Sequence, residues 1–298
     1  MGRIESMKTG ILTSGVSQNL DHALQCIHAD GFRHVEIQFA WGVEDGDYST
    51  AQETEICRLL KQYHMRCTAV MKNLFSGMTL DDTQIASSRY RDSLRLFRNT
   101  IRLARALGCH LTRVNSFDKH NVIFGFGGAE HYLSGGNRAW NKYLKLMEPV
   151  CRIAEDEDID IMVETGTGGF LCTAALAKKA CDDLHSAHFR VLWDPANCIY
   201  NGEIPLPRAY EQLREHIAEI HIKDLRFRRE LAEATYCPLG QGSMAPYLKP
   251  LAALLRQDSF SGVVVLENQV TPSGGTEEDG YRLSVPVFKK IFCEAESN

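Results

Sequence analysis

The hydrophobic positions of the chain fall into short strand-like segments separated by stretches with helical spacing. Within residues 218–224 the alternation is strict: Glu219 and His221 share one face with Lys223, while isoleucines occupy the other. Seven other segments are similarly short and rich in aliphatic residues. The predicted strands cover residues 8–16, 34–39, 66–72, 109–115, 159–164, 189–194, 218–224 and 262–267.

Amphipathic helical patterns lie between these strands. In the longest, over residues 87–107, Leu94, Phe97 and Ile101 recur at helical spacing. The other helices are predicted to follow a cap at Asn19 or Asp21 and to cover residues 50–64, 141–155, 173–184, 207–217, 246–256 and 285–292.

The regular alternation of strands and helices predicts an α/β fold, a single (β/α)₈ TIM barrel, with a doubly wound parallel sheet as the main alternative. No compositional break indicates a linker, so residues 1–298 are interpreted as one domain in which residues 1–7 form a flexible extension. Two long loops, 116–140 and 225–242, interrupt this alternation of strands and helices. Loops of this length are typical of lids or binding segments.

Composition narrows the class of partner. A net charge of −5 argues against a broad nucleic-acid surface and favours a small molecule. The ten cysteines are scattered without a Cys-x-x-Cys pair, which is typical of reduced thiols. No stretch has the length and apolar character of a bilayer span or a leader, so we expect a cytoplasmic protein that does not contact membranes.

Four predicted strands end in a residue able to bind a metal ion: Glu164, Asp194, His221 and Glu267. In a barrel the carboxyl ends of the strands converge over one mouth. Three carboxylates brought together repel each other unless a cation neutralises them, and the mixed oxygen and nitrogen set suits Mn²⁺, Co²⁺, Zn²⁺ or Mg²⁺. Taken singly, Asp194 also fits a helix cap and His221 a hydrogen-bonded core histidine.

Five motifs, VETGTG, WDPAN, HIKD, PLGQG and VVVLEN, carry a family resemblance in their order and spacing. With them the chain resembles the sugar phosphate isomerase/epimerase superfamily, the xylose isomerase-like barrels. The resemblance implies one divalent metal ion, with Mn²⁺ first among the four ions, held by Glu164, Asp194, His221 and Glu267. It also implies that Glu164 and Glu267 are catalytic, one removing a proton from carbon and the other returning one.

The resemblance further implies that Glu36 and Lys223 meet substrate hydroxyls, and that the protein could be a homo-oligomer, as relatives often are. Asn197 stands where the ketose 3-epimerases have histidine, and HIKD is closer to the inosose dehydratase branch. Arg226, in the loop after the seventh strand, is a candidate substrate contact, because such loops often bind anions in barrels; the alternative is a solvated basic loop. Asp224 is expected to orient His221 or to cap the following loop.

The predicted function is that of a metal-dependent isomerase or epimerase of a keto-sugar or keto-polyol. Proton abstraction next to the carbonyl would give a metal-stabilised enediolate, which is then reprotonated. Loss of a β-substituent instead would make the protein a lyase or dehydratase, of the inosose dehydratase or 3-keto-glycoside eliminating type. A metal-dependent phosphodiesterase like the apurinic endonucleases and a non-catalytic sugar-binding protein are the remaining alternatives.

Overall fold

Eight parallel strands close into a barrel in this computed structural model, which describes residues 7–119, 138–231 and 233–294. Around the barrel each strand pairs with the next one in chain order, and the last strand pairs with the first to close it. This confirms the predicted TIM barrel and excludes the doubly wound sheet. The strands are β1 Lys8–Leu12, β2 His34–Ile37, β3 Arg66–Met71, β4 Leu111–Val114, β5 Asp160–Glu164, β6 Phe189–Trp193, β7 Ile217–Ile222 and β8 Val263–Leu266.

Helices surround the barrel. They are α1 Leu20–Ala29, α2 Thr50–Gln62, α3 Ser88–Ala106, α4 Arg138–Asp156, α5 Ala174–Leu184, α6 Pro195–Tyr200, α7 Tyr210–Leu213, α8 Ala245–Gln257 and α9 Glu277–Phe288. Asn19 caps α1 by accepting a hydrogen bond from the backbone N–H of His22. For most of the helices, the observed first and last residues lie within a few residues of the predicted ones.

Two helix predictions are wrong in extent. The last helix begins at Glu277 and not at Val285, because Thr276 and Asp279 form a reciprocal capping box that fixes its start. The stretch 207–217 contains only the short α7 as α-helix, between irregular turns. Pro207 opens this stretch and Pro205 lies two residues before it, and neither has the backbone N–H that continues a regular helix.

The core has two layers. Most apolar side chains pack between the strands and the surrounding helices. A smaller cluster fills the inside of the barrel and consists of Leu12, Ala69, Met71, Met162, Leu192, Val263 and Val265. In the register of β7 and β8, Glu219 lies beside Val263 and His221 beside Val265. The polar face of β7 therefore points into the barrel, as its alternation predicted.

Two antiparallel ribbons stand outside the barrel sheet. One pairs Phe39–Ala40 with Val43–Glu44, and the other pairs Leu225–Arg228 with Glu233–Tyr236. Most of the predicted loop 116–140 lies outside the described residues, as do residues 1–6 of the predicted extension. None of the helices in the described parts of the chain is long and apolar enough to cross a bilayer.

Candidate metal centre

The four strand-end residues meet at one point. Glu164, Asp194, His221 and Glu267 each offer a ligand atom, and these atoms all lie within 4.8 Å of one another. The period of two explains the convergence: each side chain continues the inward-facing row of its own strand, above the apolar interior. Three carboxylates and an imidazole are a donor set that divalent cations accept in proteins. The residues present therefore fit such an ion.

His221 is held between two carboxylates. Its Nε2 lies 2.8 Å from Oε2 of Glu36, and its Nδ1 lies 3.2 Å from Oε2 of Glu267. Burial alone would lower the pKa of His221, but the two adjacent carboxylates outweigh it and hold the pKa well above its usual value. Glu36 is fully buried behind the imidazole and is absent from the pocket wall. The contact that the structure shows for Glu36 is with His221, and its contact with substrate hydroxyls stays a prediction.

Beneath Glu36 lies a second buried carboxyl, that of Glu219. Burial, followed by the neighbouring charge of Glu36, raises the pKa of Glu219 well above its usual value. The pKa of Glu36 is lowered despite its own burial, because His221 is next to it. Glu219 is thus the protonated member of the carboxyl pair, and Glu36 is the charged member that faces the imidazole.

Lys223 places a positive charge inside the cluster. Its Nζ donates to Oε2 of Glu267 at 2.6 Å and forms an ion pair with Oδ2 of Asp194 at 2.8 Å. Burial alone would lower the pKa of Lys223, but Asp194 and Glu267 raise it well above its usual value. An ammonium group between two carboxylates shows that this point is electrostatically suited to a cation.

Asp194 serves the local fold and the cluster at once. Its Oδ1 accepts from the backbone N–H of Asn197 at 2.9 Å and so caps α6, while Oδ2 faces Lys223. Burial raises the pKa of Asp194 to about 6; Lys223 opposes this rise, and Glu267 adds to it. The sequence allowed two interpretations of Asp194, a helix cap and a member of the cluster. In the structure the side chain of Asp194 is both.

Arg113 was missed by the sequence analysis. It lies on β4, is almost fully buried, and donates from Nη1 to Oε2 of Glu164 at 2.7 Å and from Nη2 to Oδ1 of Asn73 at 2.7 Å. Asn197 donates to the other oxygen of Glu164 at 3.2 Å. One feature of the sequence could have pointed to Arg113. It is an arginine inside a short aliphatic strand, where a buried charge without a partner would be costly.

Asp224 does not join the cluster but fixes the loop that follows β7. Its two carboxylate oxygens accept four backbone hydrogen bonds of 2.8–3.0 Å, which come from Leu225, Gly240, Gly242 and Met244. A Cβ at Gly242 would lie 2.4 Å from Oδ1 of Asp224, so only glycine allows this close approach. The loop containing PLGQG is therefore anchored at the end of the strand that carries His221.

A pocket of about 550 Å³ opens above the cluster. Its polar wall includes Gln38, Asn73, Asn115, Asn268 and Gln269, whose amide groups can each donate and accept hydrogen bonds. Such a wall is suited to a ligand with many hydroxyl groups.

The remaining predicted residues divide between this pocket and the surface. Glu164, Glu267, Asn197 and Lys223 line the pocket. Arg226 lies on the exposed outer ribbon and does not line it. The structure therefore does not bring Arg226 to the cluster, whereas Tyr236 of the same ribbon does line the pocket.

Comparison with known families agrees with this architecture. A family model described as a xylose isomerase-like TIM barrel matches residues 24–291. The chain belongs to this family. The resemblance noted in the sequence motifs is thus confirmed, and the xylose isomerase-like match covers every strand from β2 to β8 and most of the helices. No curated protein sequence matches the chain.

Solved structures share the same barrel. The 3-keto-D-glucoside 4-epimerase of E. coli has a TM-score of 0.70 and 17% identity, with 96% of this chain and 100% of that chain covered. The probable 3-DHS dehydratase involved in petrobactin synthesis in Bacillus anthracis has a TM-score of 0.65 and 15% identity, with 93% and 98% covered. The IOLI protein, solved with a bound zinc atom, has a TM-score of 0.68 and 16% identity, with 96% and 98% covered. At these identities the likeness concerns the fold.

Proposed function

We propose that this protein is a divalent-metal-dependent isomerase or epimerase of a keto-sugar or keto-polyol. The convergence of Glu164, Asp194, His221 and Glu267 beneath a polar pocket carries the proposal. The reactions named for two structural neighbours, epimerisation of a keto-glucoside and dehydration, support chemistry next to a carbonyl. The homo-oligomer and the cytoplasmic location expected from the sequence belong to the same proposal.

The four strand-end residues would hold the metal ion, with Mn²⁺ the first choice and Co²⁺, Zn²⁺ or Mg²⁺ the alternatives. A bound divalent ion polarises the substrate carbonyl and offsets negative charge that develops on its oxygen. Glu36 holds the imidazole of His221 from the opposite side, which fixes the ring orientation. A neighbour of the same fold that binds zinc supports a metal in this barrel.

Glu164 and Glu267 are the proton-transfer pair in this proposal. Both line the pocket, and both are fixed by hydrogen bonds: Glu164 by Arg113 and Asn197, and Glu267 by Lys223 and Gln269. The pKa of Glu267 lies well below its usual value despite burial, because Lys223 and His221 are adjacent. Glu267 is therefore ionised and can accept a proton from carbon, and Glu164, three strands away around the mouth, would return a proton that it takes up from solvent.

Lys223 acts as an electrostatic clamp in this proposal. Because its pKa is raised well above the usual value by Asp194 and Glu267, it stays charged and is a poor proton donor. Its charge can still stabilise a developing oxyanion in the pocket. Polar contacts to the substrate hydroxyls would come from Asn197 and the other amide side chains of the wall.

A lyase or dehydratase is the second candidate, and Asn197 favours it. This residue lines the pocket at the position where ketose 3-epimerases carry histidine, and its amide cannot exchange a proton as an imidazole can. The first step would be the same proton removal, followed by loss of a β-substituent. Product analysis separates the two outcomes.

Turnover assays test the proposal. Metal-loaded protein is screened against ketohexoses, inososes and 3-keto-glycosides, and products are identified by NMR. We expect Glu164→Gln and Glu267→Gln each to lower turnover by about 10²–10⁴-fold with the fold intact by circular dichroism. Glu148→Gln, on the exposed face of α4, is the matched control and should keep full activity. Full activity in either pocket variant, or after exhaustive chelation, would overturn the proposal.

A further inference from the structure

Three metal-binding side chains of different types meet on the outer surface of the barrel, apart from the strand-end cluster. His22 and Cys26 are four residues apart on α1, so they share one face of the helix. Glu278 faces them from the first turn of α9. One donor atom from each of the three lies within 4.8 Å of the others.

The spacing of the donor atoms matches a tetrahedral zinc site. Ordinary Zn–S, Zn–N and Zn–O bond lengths place ligand atoms about 3.4–3.6 Å apart in a tetrahedron. Cys26 Sγ lies 3.7 Å from His22 Nε2 and 3.4 Å from Glu278 Oε1. His22 Nε2 and Glu278 Oε2 are closer, at 2.6 Å, because they are hydrogen-bonded. The His22 side chain is 46% exposed and so is free to open this contact by the roughly 0.8 Å that the tetrahedron needs.

The surroundings of the three side chains also suit a metal site. Arg282 donates from Nε to Oε1 of Glu278 at 3.2 Å and from Nη1 to Asp30 at 2.7 Å, so the carboxylate of Glu278 is held in place. Cys26 is 6% exposed, whereas His22 and Glu278 reach solvent. The exposed side leaves access for an ion and for a water molecule as fourth ligand.

We propose that His22, Cys26 and Glu278 form a second metal site, which takes up Zn²⁺. A thiolate ligand favours zinc over Mn²⁺ or Mg²⁺, which the oxygen-rich strand-end cluster also accepts. Binding forms the Zn–S bond and releases the thiol proton to solvent. The site joins α1 to the start of α9, where Glu277 lines the pocket and its carbonyl oxygen accepts from Asn268. Zinc would thus fix one wall of the pocket without taking part in the reaction.

Cobalt substitution tests this site without interference from the strand-end cluster. Co²⁺ bound by a thiolate gives a sulfur-to-cobalt charge-transfer band in the near ultraviolet, whereas the cluster of Glu164, Asp194, His221 and Glu267 has no cysteine. The full-length, reduced and metal-stripped protein is titrated with Co²⁺ and then with Zn²⁺. We expect the band to reach a plateau by two Co²⁺ per chain, because the strand-end cluster can take up one of the two ions without contributing to the band, and to disappear when Zn²⁺ displaces Co²⁺.

Three variants decide the outcome. Cys26→Ser should remove the band completely, and His22→Ala should weaken Co²⁺ binding at this site at least about tenfold. Cys57→Ser, a partly exposed cysteine on α2, is the matched control and should bind as wild type. Absence of the band in wild-type protein, its persistence in Cys26→Ser, or unchanged affinity in His22→Ala would overturn the proposal. His22 is exposed, so its variant tests the site even if Cys26→Ser fails to fold.

Discussion

Oε2 of Glu36 lies 2.8 Å from Nε2 of His221, and both side chains are completely buried. This contact leaves Nδ1 of His221 directed at the cluster, beside Glu267. A carboxylate behind a ligating imidazole fixes its tautomer and makes it a stronger ligand. In the proposed metal centre Glu36 would therefore strengthen metal binding, although it does not line the pocket.

Replacement of Glu36 should weaken metal binding. Glu36→Gln removes the charge behind His221, and we expect Mn²⁺ affinity, measured by isothermal titration calorimetry, to fall about 10–100-fold. Glu219→Gln is the matched control: because the carboxyl of Glu219 is the protonated partner, an amide should replace it with little loss. Equal losses in both variants would contradict the assigned role of Glu36.

Loss of Arg113 should destabilise the fold. Its buried guanidinium pairs with Glu164, and Arg113→Met would leave that carboxylate without its partner. We expect the free energy of unfolding, measured with urea, to fall by about 3–5 kcal/mol. Arg152→Met, which breaks an exposed pair with Glu148, should cost no more than about 1 kcal/mol. A similarly small loss of unfolding free energy in Arg113→Met would show that the ion pair with Glu164 does not stabilise the mouth of the barrel.

Asp45 should make stability depend on pH. It is fully buried, and burial raises its pKa from 3.8 to about 7, although Thr100 partly opposes the rise. The folded protein therefore keeps a proton that the unfolded chain loses, so Asp45 lowers stability progressively as pH rises from about 4 to about 7.

Asp45→Asn removes this effect. Urea unfolding should show little difference from wild type near pH 4 and a stabilisation of up to roughly 4 kcal/mol by pH 8. Asp92→Asn, at an exposed position on α3, should show no such trend. A stability difference at Asp45 that stays constant with pH would contradict the assignment.

Asp224 should control the order of the loop after β7. Asp224→Ala leaves four backbone N–H groups without their acceptor, so we expect local loosening between Leu225 and Met244. Hydrogen exchange should accelerate at the amides of Gly240 and Gly242 by at least tenfold, a loss of about 1.4 kcal/mol. Amides in the middle of α2 serve as the internal control. Unchanged exchange in the loop would show that the carboxylate does not anchor it.

The period of hydrophobic positions was sufficient to predict the barrel and the four residues that converge at its mouth. Whether a side chain points into the barrel follows from its position within a single strand. The sequence alone is therefore enough to predict that His221 and Glu267 face inward. The start of α9 was also encoded, in the capping pair Thr276 and Asp279, but was overlooked.

Contacts between residues far apart in the sequence could not be predicted in this way. Arg113 meets Glu164 from the neighbouring strand, and Glu36 meets His221 across the barrel, at separations of 51 and 185 residues. The charge state of such buried groups depends on neighbours that only the closed barrel brings together. The position of Arg226 depends on the outer ribbon, in which Tyr236 lines the pocket and Arg226 does not.

Solvent hydrogen exchange at the carbon next to the substrate carbonyl tests the proposed proton transfer most directly. Metal-loaded protein is incubated in deuterium oxide with the best keto-sugar from the screen, and deuterium in the sugar is followed by NMR. We expect incorporation with wild type and Glu148→Gln, and rates about 10²–10⁴-fold lower with Glu267→Gln. Incorporation at the wild-type rate with Glu267→Gln, or in wild type after exhaustive chelation, would contradict the proposed function.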